Sequence, residues 1–379
     1  MIIRKSKINA FLLSFLVIFF CSFDGILYHL NINSNSGGLN LYMAFLYIGL
    51  LTLFYIFNFS KTIGLIKLKD NVKVIVLALM LIAVFLIVSV FTEFKVKLLR
   101  DISYVFLYMM LFLLFNSTNK YQFNNETFIK TVILSIILLL PLLSVILGSN
   151  VFPRFEGIYG TPSLTGNTVA FAVSMVILNW KKYFSPTVGL VLIIFSIVII
   201  VLSGSRTALT IVVFAFIFKF LSSRSLLNSI TNVLILLIFT TFFSAVNLGN
   251  LEAFNELRVL SVDDIQIGSI STRLIWLTKV LDSLSQSSWV GGFGSGASEE
   301  LLGVIMHADI LQIYFDYSFL ALIIYLLLIY LFSGTRKEKF FVFYFLSLFL
   351  LGLQNAFYAP IIIMLYLSLR ITTTKKYEN

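Results

Sequence analysis

Apolar residues run along this chain in long, nearly unbroken stretches separated by short polar segments. The stretches cover residues 8–27, 40–59, 72–91, 101–116, 128–147, 163–179, 187–204, 206–221, 228–247 and 307–332. A run of about 17 to 25 apolar residues crosses a hydrocarbon core of roughly 30 Å as a helix, so each stretch predicts a span. Residues 340–369 hold two shorter runs, split near Asn355 to Pro360, which form two helices, one long helix or a re-entrant hairpin. The pattern predicts an all-α integral membrane protein with about twelve transmembrane helices.

The spacing changes once. From Asn247 to Met306, roughly sixty residues run without a span before the apolar pattern resumes. Three parts follow: residues 1–246 with nine helices and short loops, a large extracytoplasmic loop over 247–306, and 307–379 with the last helices and a cytoplasmic tail. Within the loop, "NLEAFNELRVLSVDD" predicts a surface helix, and "STRLIWLTKVLDSL" sets Arg273, Trp276, Lys279 and Val280 at helical spacing. Long loops of this kind usually carry function.

Composition agrees with the pattern: 59% of residues are hydrophobic and only 12% charged, which excludes a soluble globule. Basic residues mark the cytoplasmic side. With the N-terminus inside, nineteen of the twenty-seven fall on inner segments, and Lys95, Lys97, Arg100, Arg154, Arg206, Arg258, Arg273 and Lys279 fall outside. Both termini are then cytoplasmic. The net charge of +10 is accounted for mostly by topogenic lysines and calls for no nucleic acid. "FFCSFDG", around Cys21, lacks the small residues of a cleavage site, so the first helix is expected to be retained. One cysteine excludes an intramolecular disulfide. No repeat of the kind that relates transporter halves is visible.

The outer arginines carry the candidate chemistry. Arg154 lies in the Gly- and Pro-rich "FPRFEGIYGTPSLTGN", Arg206 in "VLSGSRTALT" between two spans, and Arg258 and Arg273 in the large loop. Each alone reads as an interface anchor. Together they suit a ligand with a pyrophosphate head and a membrane-embedded tail, because a guanidinium keeps its charge and binds phosphate bidentately. His307 stands where the large loop re-enters the membrane, followed by Asp309 and Asp316, and its imidazole can take a proton from a hydroxyl. Glu299 and Glu300 can hold an acceptor or pair with the arginines. The outer loops show no compact cluster of histidine and carboxylates for a metal. "GGFGSGA" matches G-x-G-x-x-A at Gly292, Gly294 and Ala297 but lacks the flanking strand of a nucleotide site, so it is expected to be a hinge in the loop.

The order of "RFEGIYGTPSLTGNTVA", "SGSRTAL", an Arg-x-x-Trp in a long external loop and a histidine at that loop's end resembles the O-antigen polymerase and O-antigen ligase superfamily of multi-span bacterial membrane glycosyltransferases. The resemblance covers residues 150 to 330. Pro162 and Ser163 stand where the family has a Pro-Asn pair, and Ala308 and Asp309 follow His307 in place of Asn or Ser. The resemblance implies a GT-C-like fold and transfer of a glycan carried on undecaprenyl pyrophosphate, at the outer face of the cytoplasmic membrane, without metal or cofactor. Arg206 and Arg273 would clamp the pyrophosphate and His307 would activate the acceptor hydroxyl, as the catalytic set. Arg154, Arg258, Tyr159, Trp276, Asp309 and Tyr314 would bind pyrophosphate or glycan. The partners implied are the lipid-linked oligosaccharide, the bilayer, and a chain-length regulator and flippase of the same pathway. Polymerase is favoured over ligase, which would pass the polymer to a lipid A core. A lipid-linked oligosaccharide flippase or transporter is weaker, because its spans would place ionisable residues at a midplane site.

Overall fold

The computed structural model describes residues 7–15, 18, 48–49, 65–92, 97–117, 124–148, 154–158, 162–179, 182–221, 270–286, 290–303 and 309–332. At residues 65–70, 114–117, 125, 206–207, 210, 217–221, 270–277 and 309 it describes the backbone alone. The predicted spans at 40–59, 228–247 and 340–369, and the surface helix at 250–264, lie outside or almost wholly outside the described residues.

Described residues are almost entirely helical, and no β-strand is present among them. The helices are α1 (Leu65–Phe91), α2 (Leu98–Ser117), α3 (Asn125–Leu134), a π-helical turn (Ser135–Leu139), α4 (Leu140–Ile146), α5 (Pro162–Leu178), α6 (Pro186–Ser203), α7 (Arg206–Leu221), α8 (Ile270–Gln286), α9 (Ala297–Leu302), α10 (Asp309–Tyr317) and α11 (Phe319–Phe332). Residues 7–15 are helical as well. Three stretches are long and apolar enough to cross a membrane: Asn71–Phe91, Glu126–Ile146 and Pro186–Ser203. Two shorter apolar helices, Pro162–Leu178 and Phe319–Phe332, accompany them. Their outward side chains are apolar too: Leu190, Val191 and Ile194 of α6 are all more than half exposed, as a surface facing hydrocarbon requires.

Local sequence explains the helix ends. Ser185 sits extended before α6 and its hydroxyl accepts from Val188 N at 3.4 Å, with Pro186 at the first helical position. Gly204 ends the same helix at φ 65°, a left-handed residue that carries no Cβ penalty. The π turn precedes Pro141, and Leu140 N bonds to Ser135 O, five residues back. A proline inside a helix cannot donate and crowds the preceding turn, and a wider turn relieves both.

The single span expected over 307–332 is instead two helices. Ser318 breaks it at φ 109°, and its hydroxyl accepts from Ala321 N at 3.5 Å to cap α11. Phe319 N, deprived of a helical partner, donates to Val290 O at 2.9 Å. A contact from another segment therefore satisfies the break, which local hydropathy does not report. α10 has nine residues and an amphipathic pattern.

The chain forms two compact units. One comprises 1–24, 33–131 and 276–379, and contains α1, α2 and α9 to α11, with α1 packed on α2 and α11. The other comprises 25–32 and 132–275, in which α5 packs on both α6 and α7.

Candidate functional site

In the second unit, α5 is the most deeply buried helix, with every residue from Thr165 to Ile177 buried. Its Gly166 meets the α6–α7 turn so closely that a Cβ there would lie 2.5 Å from Ser203 Oγ and 2.7 Å from Ser205 Cβ. Ser205 Oγ donates to Asn167 Oδ1 at 3.3 Å and accepts from Ala208 N at 3.3 Å, so it both ties α7 to α5 and caps α7. Arg206 is the first residue of α7.

The Arg154 loop closes on this same turn. Arg154 Nε donates to Ser203 O at 3.1 Å, and Phe155 N donates to Leu202 O at 2.9 Å. A Cβ on Gly204 would lie 3.0 Å from Arg154 Nε. Thr165 Oγ1 donates to Glu156 O and holds the loop to the start of α5. The "RFEG" and "SGSR" segments thus join into one structure. Arg154 Nε is anchored on the carbonyl of Ser203, the last residue of α6, where unpaired carbonyls favour positive charge, and Arg206 opens α7 three residues further on.

Arg206, Arg273, Trp276 and Asp309 are described as backbone positions on α7, α8, α8 and α10. The residues from Ser271 to Leu284, predicted to be helical, do lie within α8. His307, Arg258 and Tyr159 lie outside the described residues. Tyr314 is half-buried: it packs against the cluster of Val280, Leu284, Ala297 and Phe315, and its ring meets that of Phe319 in a T-shaped contact.

The first unit holds a polar cluster that sequence reasoning missed. Asp101 of α2 and Asp316 of α10 are wholly buried. Asp101 accepts from Tyr317 Oη, from Ser295 Oγ at 3.1 Å and from Arg100 Nε at 3.2 Å. Asp316 accepts from Ser298 N at 2.7 Å, Ser298 Oγ at 3.1 Å and Gly296 N at 3.4 Å. Glu299 pairs with Lys97 and, at 3.5 Å, with Arg100 Nη2, which is not among the arginines singled out in the sequence. Burial, and then the neighbouring Arg100, lower the pKa of Lys97. A sequence signal existed: ionisable residues inside apolar helical stretches are costly and call for partners.

This cluster also corrects the hinge expected at "GGFGSGA". The amides of Gly292 and Phe293 donate to Phe315 O at 2.9 and 3.1 Å, and Gly294 N donates to Asp316 O at 2.9 Å. These carbonyls end α10 and have no partner within it. Gly291 lies at φ 73°, and a Cβ there would fall 2.2 Å from Tyr314 O. The glycines serve close approach to α10. Among the described residues no group of three or more His, Cys, Asp or Glu side chains is arranged to hold a metal ion.

No protein-family model matches the chain, and no curated protein matches it.

Proposed function

We propose that this protein polymerises lipid-linked oligosaccharide repeat units into a surface polysaccharide such as O-antigen or capsule, at the outer face of the cytoplasmic membrane. The observation that carries the reading is the anchoring of Arg154 on the turn from which Arg206 begins. Two arginine-bearing segments, 49 residues apart at this contact, converge at one helix end, and such convergence suits a pyrophosphate head.

The reading takes the chain as a GT-C-like protein of about twelve spans with both termini in the cytoplasm. The acceptor sugar's hydroxyl oxygen attacks the donor's anomeric carbon. The bond from that carbon to the pyrophosphate breaks, and the electron pair leaves with undecaprenyl pyrophosphate. Arg206 and Arg273 stabilise the charge that builds on the leaving group, with Arg154 beside Arg206. His307 takes the hydroxyl proton. On the family resemblance, Arg258, Tyr159, Trp276, Asp309 and Tyr314 are the residues assigned to binding pyrophosphate or glycan. A chain-length regulator and a flippase of the same pathway are its expected partners.

A second reading, a lipid-linked oligosaccharide flippase or another transporter, draws on one observation: the wholly buried Asp101 and Asp316. The experiment that separates the readings is gel analysis of surface polysaccharide from a deletion strain, complemented with wild type, Arg206→Ala, Arg273→Ala or His307→Ala at matched membrane levels. Surface glycan of a single repeat unit in the deletion and the variants is the expected result. Full-length polymer retained on its lipid carrier identifies a ligase instead, and repeat units trapped on the inner leaflet identify a flippase. Full-length surface glycan from all three variants removes the arginines and His307 from the chemistry.

A further inference from the structure

The hydroxyls of Ser144, Ser174, Ser196 and Ser203 each donate to a backbone carbonyl of their own helix, three or four residues back. That local bond needs an earlier turn of the same helix, and Ser205 stands before α7 begins. Its hydroxyl hydrogen goes instead to Oδ1 of Asn167, 38 residues away on α5. The direction matters, because a hydroxyl has one hydrogen to donate. With that hydrogen on Asn167, a lone pair of Ser205 Oγ faces Ala208 N and caps the helix.

Asn167 is placed firmly enough to orient that hydroxyl. It is 1% exposed and lies in the run of α5 where every residue is buried. Gly166 beside it has no Cβ, which lets α5 close on Ser203 and Ser205. From the α6 side, Ser203 Oγ accepts from Ser205 N at 3.3 Å. Ser205 is therefore located by α6 through its amide, by α7 through its capping oxygen, and by α5 through its hydroxyl hydrogen. The α5 contact is a side chain outside the turn, so it can be exchanged without altering the turn's own sequence. We propose that Asn167 is a positioning residue for Arg206: by orienting the Ser205 hydroxyl it fixes where α7 begins, and Arg206 is the first residue of that helix. Asn167 acts through Ser205 and not on a substrate. The inference rests on the proposed role of Arg206 at the pyrophosphate, and the first readout of its test does not.

The test compares wild type with Asn167→Leu, which keeps the approximate size of the side chain and removes the acceptor, and with Asn167→Asp, which keeps an accepting oxygen. Hydrogen exchange followed by mass spectrometry, on the full chain in detergent micelles, should show the Ala208 amide losing protection about fivefold in Asn167→Leu, as loss of one helix cap requires, with α5 and α6 unchanged. Asn167→Asp should keep that protection. On gels of surface polysaccharide from the complemented deletion strain, long polymer should fall about tenfold in Asn167→Leu at matched membrane level, since a small displacement of a charge-stabilising group is costly, and should return in Asn167→Asp. Unchanged protection at Ala208 overturns the proposal, and so does a fall spread equally over α5, α6 and α7, which marks a merely structural residue. Local loss of protection with full-length polymer, while Arg206→Ala stops polymerisation, overturns the positioning role and leaves the glycan reading standing. Full-length polymer from Arg206→Ala overturns both. Should Asn167→Leu fail to fold, Ser205→Ala decides: it removes the hydroxyl outright and should reproduce both losses, and a wild-type result overturns the proposal.

Discussion

The Arg154 turn of one unit and the Asp101–Asp316 cluster of the other both bury polar groups among apolar helices, but they satisfy them in opposite ways. In the cluster each carboxylate oxygen is occupied by serine, tyrosine, arginine or backbone donors, and the glycines around it exist to let backbone approach backbone. At the turn, by contrast, a cationic side chain is fastened to backbone, its Nε donating to the carbonyl of Ser203 at the end of α6. A saturated buried network rigidifies the structure and is costly to break. A cation held at a helix end is worth less to stability and is better suited to meeting an anion.

The sharpest way to break this comparison is Asp101→Ala, which takes the shared acceptor from Ser295 and Tyr317 and leaves Arg100 with Glu299. It should cost about 4 kcal/mol, read as a shift in denaturant midpoint for the purified protein in micelles. Gly291→Ala, forcing a Cβ into Tyr314 O at a positive φ, should cost about 3 kcal/mol in the same assay. Gly166→Ala drives α5 from the α6–α7 turn and should cost about 2 kcal/mol, since overpacking there meets two serines. The smallest effect on stability, about 1 kcal/mol, is expected for Arg154→Ala. Under the proposed function this last variant should nevertheless shorten the surface polymer on gels at normal membrane levels. If Arg154→Ala destabilises as much as Asp101→Ala, the contrast between the two regions fails.

Much of the helical framework was legible because hydropathy is a local property. The expected spans at 72–91, 128–147, 163–179, 187–204 and 206–221 agree with described helices to within a residue or two at most ends. Ser185–Pro186 and Gly204 mark the ends of α6 in the sequence itself. Of the candidate site, the convergence of Arg154 with the Arg206 turn has a described geometry, whereas His307, Arg258 and Tyr159 lie outside the described residues. Asp101 was passed over, and Asp316 noted only for following His307, because each looks like a lone acid in an apolar neighbourhood and its partners come from other segments of the chain.

The sequence by itself determined that apolar helices of membrane-spanning length build this protein and where several of them start and stop, since caps and hydrophobic runs act within a few residues. Tertiary structure alone decided that the stretch over 307–332 divides at Ser318, that the glycines pin the loop, and that Tyr317 reaches an aspartate 216 residues away. The physical reason is that a buried polar group must find a partner wherever the fold brings one, and no local pattern records which segment will supply it.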